Sequence, residues 1–220
     1  MKNNLGIKIT YKEQKKPRGL PEAFIIGEKF IGKDNVVLVL GDNFFYGQNL
    51  TEKLKKIIKL KNGSKVFLHP VRNPNLYGVA TVNKKNKILK IIEKPKKTKS
   101  NLAVTGLYFF DNKVVKHSKS LKFSKRKELE ITDLLNIYRR KNELTAEFIG
   151  RGGAWLDTGN IKDYYNASNF ISTLEERQGL KIGCLEEISY RNKWIGKKEI
   201  AKALKFYGNC DYSRYLRDLI

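Results

Sequence analysis

The sequence predicts an α/β fold, a sheet layered with helices, and three observations carry that expectation. Short apolar runs of strand length alternate with amphipathic stretches of helical period, the pattern of a sheet packed against helices. VVLVL, residues 36–40, is continuously apolar between Asp34-Asn35 and Gly41, which suits a strand buried on both faces. The chain has 220 residues, 40% of them hydrophobic and 30% charged, an ordinary globular balance that argues against wholesale disorder.

The elements follow in order. Leu5 to Tyr11 alternates as a strand does, and KEQKKPRG after it reads as a loop. GLPEAFIIGEKFI, residues 19–31, puts Ala23, Phe24, Ile26, Phe30 and Ile31 on one helical face. Pro21 fits its first turn, and Gly27 weakens its middle by about 1 kcal/mol relative to alanine. Thr51 is the expected N-cap of TEKLKKIIKLK, with Leu54, Ile57 and Ile58 as the buried stripe and Asn62-Gly63 as the stop. KVFLHPV (65–71) is a strand whose pairing stops at Pro70. YGVATV and ILKIIEK flank the polar turn Asn83 to Lys87, which predicts a β-hairpin. A strand is expected over 103–111, a helix over 128–140, a strand over 144–150 and a helix over 161–176. Short helices follow from Gly179. The expected division is therefore a main domain over 1–178 and a helical extension over 179–220.

Lys plus Arg total 45 against 22 for Asp plus Glu, a formal charge of +23. Such a charge raises nucleic-acid binding as a hypothesis. Lysine supplies 35 of the 45 cations, however, and bidentate base or phosphate forks favour arginine. The lysines are also spread along the chain. Solvated surface lysine is therefore the favoured reading, with anionic small substrates benefiting from the field and no specific nucleic acid implied. No apolar run reaches about 18 residues, so no membrane span is expected. The start MKNNLGIKITYKEQKK lacks the apolar core of a secretory signal. Cys184 and Cys210 are too few for a disulfide framework and lack metal-ligand spacing, which fits a reduced, cytoplasmic setting.

Four short segments carry residue types suited to chemistry. Gly41-Asp42-Asn43 follows the run 36–40, and in open α/β sheets ligands sit beyond the carboxyl ends of strands. A carboxylate there can hold magnesium, which usually takes one or two carboxylates plus phosphate oxygens, and an amide beside it suits sugar hydroxyls. The same tripeptide is also an ordinary turn. In Trp155-Leu156-Asp157-Thr158-Gly159, Asp157 is either a helix cap or a second carboxylate that meets Asp42. In Glu93-Lys94-Pro95, Glu93 suits sugar hydroxyls and Lys94 a phosphate, or the two form a surface ion pair. At Tyr77-Gly78 the absent side chain either lets a ligand approach the backbone or marks a bulge. His69 and His117 have no obvious carboxylate or serine partner, and neither a P-loop nor a G-x-G-x-x-G fingerprint occurs.

Read together, GLPEAFIIGEKFIG, LVLGDNFFYG, LYGVATV, IIEKP, NLAVTGLYFFD, ELEITDLLNIY, AWLDTG, ASNFISTLEERQGLKI and CLEEISYR resemble, in order, successive blocks of the glucose-1-phosphate thymidylyltransferase family. The resemblance implies a nucleotidyltransferase-type mixed sheet between helices. It implies the joining of dTTP and glucose 1-phosphate into dTDP-glucose with release of pyrophosphate, Mg2+-dependent, on the way to deoxysugars such as rhamnose. The family's metal-binding aspartates match Asp42 and Asp157. Its sugar and phosphate contacts match Asn43, Tyr77, Gly78, Glu93, Lys94 and Val104, with Trp155 at the pocket wall. Its base-reading glutamine matches Gln14, and a backbone contact of that loop matches Gly19. The catalytic assignment is therefore Asp42, Asp157 and Lys94. Family members are homo-oligomers by the same implication.

The family pattern opens on a strand and a glycine-rich G-x-G-T-R-L-like loop that wraps the triphosphate, and no such signature occurs in these 220 residues. The sequence thus predicts an N-terminally truncated or split form, impaired when alone and open to a complementing N-terminal chain. The alternative expectation is an inactive remnant that binds sugar nucleotide or a partner chain. Smaller departures are Glu22, where the family often has glutamine, and Gly153, where an aromatic is common.

Overall fold

The computed structural model describes residues 5–220. The opening MKNN, part of the start read above as lacking a signal core, lies outside the described residues. The described residues divide into two compact units, residues 12–159 and residues 5–11 with 160–220. Compared with a division after residue 178, the helix that ends there groups with the C-terminal helices.

The larger unit is built on a mixed six-stranded sheet. Its path is β5 (Ile88–Glu93), β4 (Gly78–Val82), β6 (Leu102–Phe110), β3 (Ser64–Pro70) and β7 (Leu144–Phe148), and β1 (Val36–Val39) also pairs with β6. Among the described residues only β3 and β7 run parallel; the other pairs are antiparallel. A separate antiparallel ribbon joins β2 (Asn43–Tyr46) to β8 (Ala154–Asp157).

Alternation along β6 divides the core. Val104, Tyr108 and Phe110 face a cluster that includes Phe24 of α1 (Glu22–Ile26), Val114 of α4 (Val114–Lys119) and Leu134, Leu135 and Tyr138 of α5 (Ile131–Arg140). Ala103, Leu107 and Phe109 face the other way, onto Ile57 of α3 (Leu50–Ile57) and Trp155 of the ribbon. The sheet is therefore covered on both faces, as an α/β layered fold requires.

Several expectations are corrected. Leu5 to Tyr11 forms no strand, and Ile7, Ile9 and Tyr11 are exposed. The helix expected over 19–31 breaks at Gly27 into α1 and α2 (Glu28–Ile31), and Phe30 is exposed. The run 36–40 is not buried on both faces: Val36, Leu38 and Leu40 pack against the core, whereas Val37 and Val39, on the opposite face and outside the cluster there, are 42% and 56% exposed. Asn49, not Thr51, precedes α3, and Ile58 lies outside the buried stripe. The hairpin turn is as expected, with Asn83 Oδ1 accepting from the N–H groups of Lys85 and Lys87 at 3.0 Å each.

One loop attachment is unusually tight. The N–H of Leu129 donates to the carbonyl of Arg18 at 2.7 Å, which brings Gly19 against the segment leading into α5. Gly19 has φ +100°, and a Cβ there would meet the Leu129 carbonyl oxygen at 2.1 Å. Gly19→Ala is therefore expected to cost about 2 kcal/mol or more, through strain and displacement of the 12–20 loop. Urea denaturation of wild type and variant measures it; equal midpoints would contradict the attachment.

The smaller unit is helical. α6 (Ile161–Gln178) is capped by Asn160, whose Oδ1 accepts from the Asp163 N–H at 3.0 Å, so Asp157 is not the cap. α7 (Leu185–Arg191), α8 (Lys197–Tyr207) and α9 (Asp211–Arg217) pack around Cys184, Ile200 and Leu216. Among the described residues no helix is long and apolar enough to cross a membrane.

Candidate active site

The site forms where one edge of β6 changes partners. β4 pairs with Leu102 and Ala103, β1 pairs with Leu107 to Phe110, and no described strand covers Val104 to Gly106 on that edge. Gly106 lies at this split. Its N–H donates to Asn43 Oδ1 at 3.1 Å, and its carbonyl accepts from the Leu40 N–H at 2.9 Å. The strands diverge around these contacts and leave a cavity of about 180 Å³.

Eight of the residues singled out from the sequence line this cavity: Asn43, Tyr77, Gly78, Glu93, Lys94, Val104, Trp155 and Asp157. They come from five separate stretches of chain, so their convergence is a property of the fold. Gly78 begins β4, and the register shift in the β4–β5 hairpin lies at Thr81/Val82, so Gly78 marks no bulge. A Cβ on Gly78 would lie 3.0 Å from Thr132 Cγ2 and 3.3 Å from Glu93 Oε2, so a side chain there would narrow the cavity.

Asn43 organises the wall. Its Oδ1 accepts from both the Gly106 N–H and Trp155 Nε1–H, the latter at 2.7 Å, and its Nδ2 donates to Asp42 Oδ1 at 2.8 Å. Both acceptor positions and one of two amide hydrogens are therefore engaged by the protein, which leaves one N–H for a ligand. Trp155 is held in turn by an edge-on contact with Tyr77, ring centroids 5.0 Å apart.

The ribbon brings the two acidic residues together. Asn43 stands opposite Asp157 in the β2–β8 register, and both the N–H and the hydroxyl of Thr158 donate to the Asp42 carbonyl at 2.8 Å. A Cβ on Gly159 would lie 3.2 Å from Asp157 Oδ1 and 3.8 Å from Asp42 Oδ2. Both carboxylates thus border the space left by the missing side chain of Gly159. The sequence reading anticipated neither β2 nor β8, which are only four residues each.

Glu93 and Lys94 do not form the surface pair considered above. The cation nearest Glu93 is Arg126, with Nη2 at 3.8 Å from Oε1, and Arg126 is bonded more closely to Glu130 at 2.6 Å. Partial burial, reinforced by the charge of Glu130, raises the Glu93 pKa above the ordinary carboxylate range against the opposing pull of Arg126 and Lys94. The Arg126 hydrogen bond holds the Glu130 pKa below that range. Arg126, Glu130, Thr132, Leu20 and Ile131 are neighbours that the sequence reading missed; local patterning carries no signal for them.

Gln14 and Gly19 do not line this cavity, although the adjacent Leu20 does. Gln14 Nε2 donates to the Gly19 carbonyl at 3.1 Å and to Glu22 Oε2 at 2.7 Å, which directs its Oε1 away from both. The departure at Glu22 thus supplies an acceptor that orients Gln14.

A cavity lined by an amide, a carboxylate and a lysine, bordered by two convergent carboxylates beyond a sheet edge, suits a polar, phosphorylated ligand. The comparisons agree with that class. The family model described as nucleotidyl transferase matches residues 1–173, and the chain belongs to that family, a family of enzymes. Its relatives there include the glucose-1-phosphate thymidylyltransferase of Neisseria meningitidis serogroup A, 45% identical over 99% of this chain and 76% of that protein. The Mycobacterium tuberculosis protein of the same name is 42% identical over 99% of this chain and 75% of its own. Among solved structures, a Bacillus anthracis chain assigned to glucose-1-phosphate thymidylyltransferase, in complex with sucrose, matches with a TM-score of 0.70 at 35% identity, covering 83% of this chain and 70% of that one. A UDP-glucose pyrophosphorylase complexed with UDP-glucose matches with a TM-score of 0.67 at 25% identity, covering 74% and 66%.

Proposed function

We propose that the chain acts as a glucose-1-phosphate thymidylyltransferase, converting dTTP and glucose 1-phosphate to dTDP-glucose and pyrophosphate. The observation that carries this reading is the convergence of Asn43, Gly78, Glu93, Lys94 and Trp155 on one cavity beside the Asp42–Asp157 pair, in a chain 45% identical to a protein of that name.

In this reading an oxygen of the sugar phosphate attacks the α-phosphorus of dTTP. The new P–O bond forms as the α–β bridge breaks and pyrophosphate leaves. The nucleophile is already ionised at neutral pH, so no general base is needed, and positioning and charge stabilisation carry the rate. Lys94 holds the attacking phosphate. Glu93 accepts from sugar hydroxyls, and the remaining N–H of Asn43 donates to the ring. Gln14 offers Oε1 to the base, a match for the N3–H of thymine. Asp42 and Asp157 fit Mg2+: two hard oxygen ligands border one open space, as this ion prefers when phosphates complete its shell. An Mg2+ held by Asp42 and Asp157 would offset repulsion between the anions and polarise the α-phosphate. Cys184 and Cys210 are both free thiols, in keeping with a reducing compartment.

Isothermal calorimetry with glucose 1-phosphate and with dTDP-glucose tests the reading. Saturable binding of both, with Mg2+ strengthening the second, is expected. No heat from either at millimolar concentration would refute it. Glu93→Gln is expected to weaken glucose 1-phosphate binding by roughly tenfold or more, as for loss of a charge-assisted hydrogen bond. The same change gives two pH signatures. Wild-type affinity should fall as pH drops through the raised Glu93 pKa, earlier than for an ordinary carboxylate, and the variant should lack that limb. Folded Glu93 binds its proton more tightly than the unfolded residue does, so its contribution to stability declines as pH rises through the same window. Glu93→Gln should therefore raise stability at neutral pH while lowering affinity. Thermal melts at neutral and acidic pH decide this, and a destabilised variant at neutral pH would contradict it.

A further inference from the structure

We propose that a second cavity, beyond the carboxyl end of β6, binds a compact oligophosphate at a site separate from the sugar cavity. This cavity is larger, about 680 Å³, and is bounded by α2 and the loop before β1, the loop before β3, and α4 with the residues that lead into it. Five of its twelve lining residues are lysines: Lys33, Lys61, Lys113, Lys116 and Lys119. The chain as a whole has 35 lysines in 220 residues, so charge is concentrated here well above the general background.

The carboxylates present do not neutralise the group. Lys119 pairs with Glu28 at 2.5 Å, and Lys113 bridges Asp111 at 3.4 Å and Glu143 at 3.3 Å. Lys33, Lys61 and Lys116 have no carboxylate within 4 Å among the described residues, and all three are exposed. Three unpaired lysines around one cavity give it a positive field, for which a multivalent anion is the matching partner.

The loops carrying them are tied together without a ligand. Asn112 Nδ2 donates to the carbonyls of Gly32 at 2.7 Å and Asp34 at 3.1 Å, and Asn35 Nδ2 donates to the Leu60 carbonyl. The Gly63 N–H donates to the buried Asp111 carboxylate at 2.7 Å. The cations therefore stand on a preorganised frame, which lowers the ordering cost of binding. The lining holds no arginine fork to read a planar edge and no aromatic ring to stack a base. Its chemistry selects phosphate groups and not nucleobases.

The test is calorimetry of the full chain with inorganic tripolyphosphate at 0.15 M salt without divalent metal. Wild type should bind it saturably, and the triple variant K33A/K61A/K116A should bind at least about tenfold more weakly. K84A/K85A/K96A removes the same charge from exposed lysines elsewhere and should bind within twofold of wild type. K33A/K61A/K116A should also keep its dTDP-glucose affinity, which separates this site from the proposed sugar site. Equal weakening in both triple variants would show a diffuse field only and overturn the proposal. So would absence of saturable wild-type binding up to about 1 mM, or a single-stranded oligonucleotide that binds more tightly than tripolyphosphate through the same three lysines.

Discussion

Asp42→Asn and Asp157→Asn are each expected to abolish the strengthening of dTDP-glucose binding by Mg2+ while leaving the fold intact. The two carboxylates border the space beside Gly159, and an amide cannot replace a carboxylate as a charged ligand to a hard ion. The metal-dependent increment, expected at about tenfold or more in wild type, should vanish in either variant. Binding of dTDP-glucose without metal should survive, because Glu93, Lys94 and Val104 are untouched. Each substitution also removes one of two neighbouring negative charges, so the melting temperature of the metal-free protein should stay level or rise. Unchanged magnesium dependence in both variants would defeat the assignment of this pair.

Asn43→Ala should produce the largest loss of stability among changes at the site. The side chain satisfies the Gly106 N–H, the Trp155 indole N–H and one oxygen of Asp42. Truncation leaves two partly buried donors unpaired, at a cost of about 2–4 kcal/mol, or roughly 5–15 °C in melting temperature. It also frees Asp42 and Trp155 from their common anchor, so sugar binding should fall with it. Asn43→Asp separates the two effects. The aspartate keeps both accepted bonds but sets a like charge against Asp42 and loses the donor for the sugar. It should be more stable than Asn43→Ala yet bind glucose 1-phosphate no better. A melt of Asn43→Ala within a degree of wild type would contradict the role of this residue.

The fold was legible where patterning is local. The hairpin 78–93, the strands β3, β6 and β7 and the helices α5 and α6 follow from apolar period and turn residues, and the mixed α/β class follows from their alternation. What escaped depends on tertiary partners. VVLVL has the composition of a fully buried strand, yet the exposure of Val37 and Val39 is set by what packs over their face, which composition does not encode. The ribbon β2–β8 joins strands 108 or more residues apart, each too short for a period to register. Gly41-Asp42-Asn43 alone reads more readily as a turn than as a ligand site, and the structure does turn there, the Asn43 N–H donating to the Leu40 carbonyl at 3.2 Å; what local patterning does not carry is the pairing of Asn43 with Asp157. The resemblance to the family supplied the match of distant residues to one site. The lysine-lined cavity had no such signal, because a charge spread evenly along the chain conceals a local concentration in space.

The central claim is that Asp42 and Asp157 hold one divalent ion beside the sugar cavity. Titration with Mn2+ in the presence of dTDP-glucose, read by electron paramagnetic resonance, tests it most directly. The account predicts one bound ion per chain for the wild type, displaced by Mg2+, and none for the D42N/D157N double variant at the same concentrations. Wild-type stoichiometry and affinity in the double variant would contradict it.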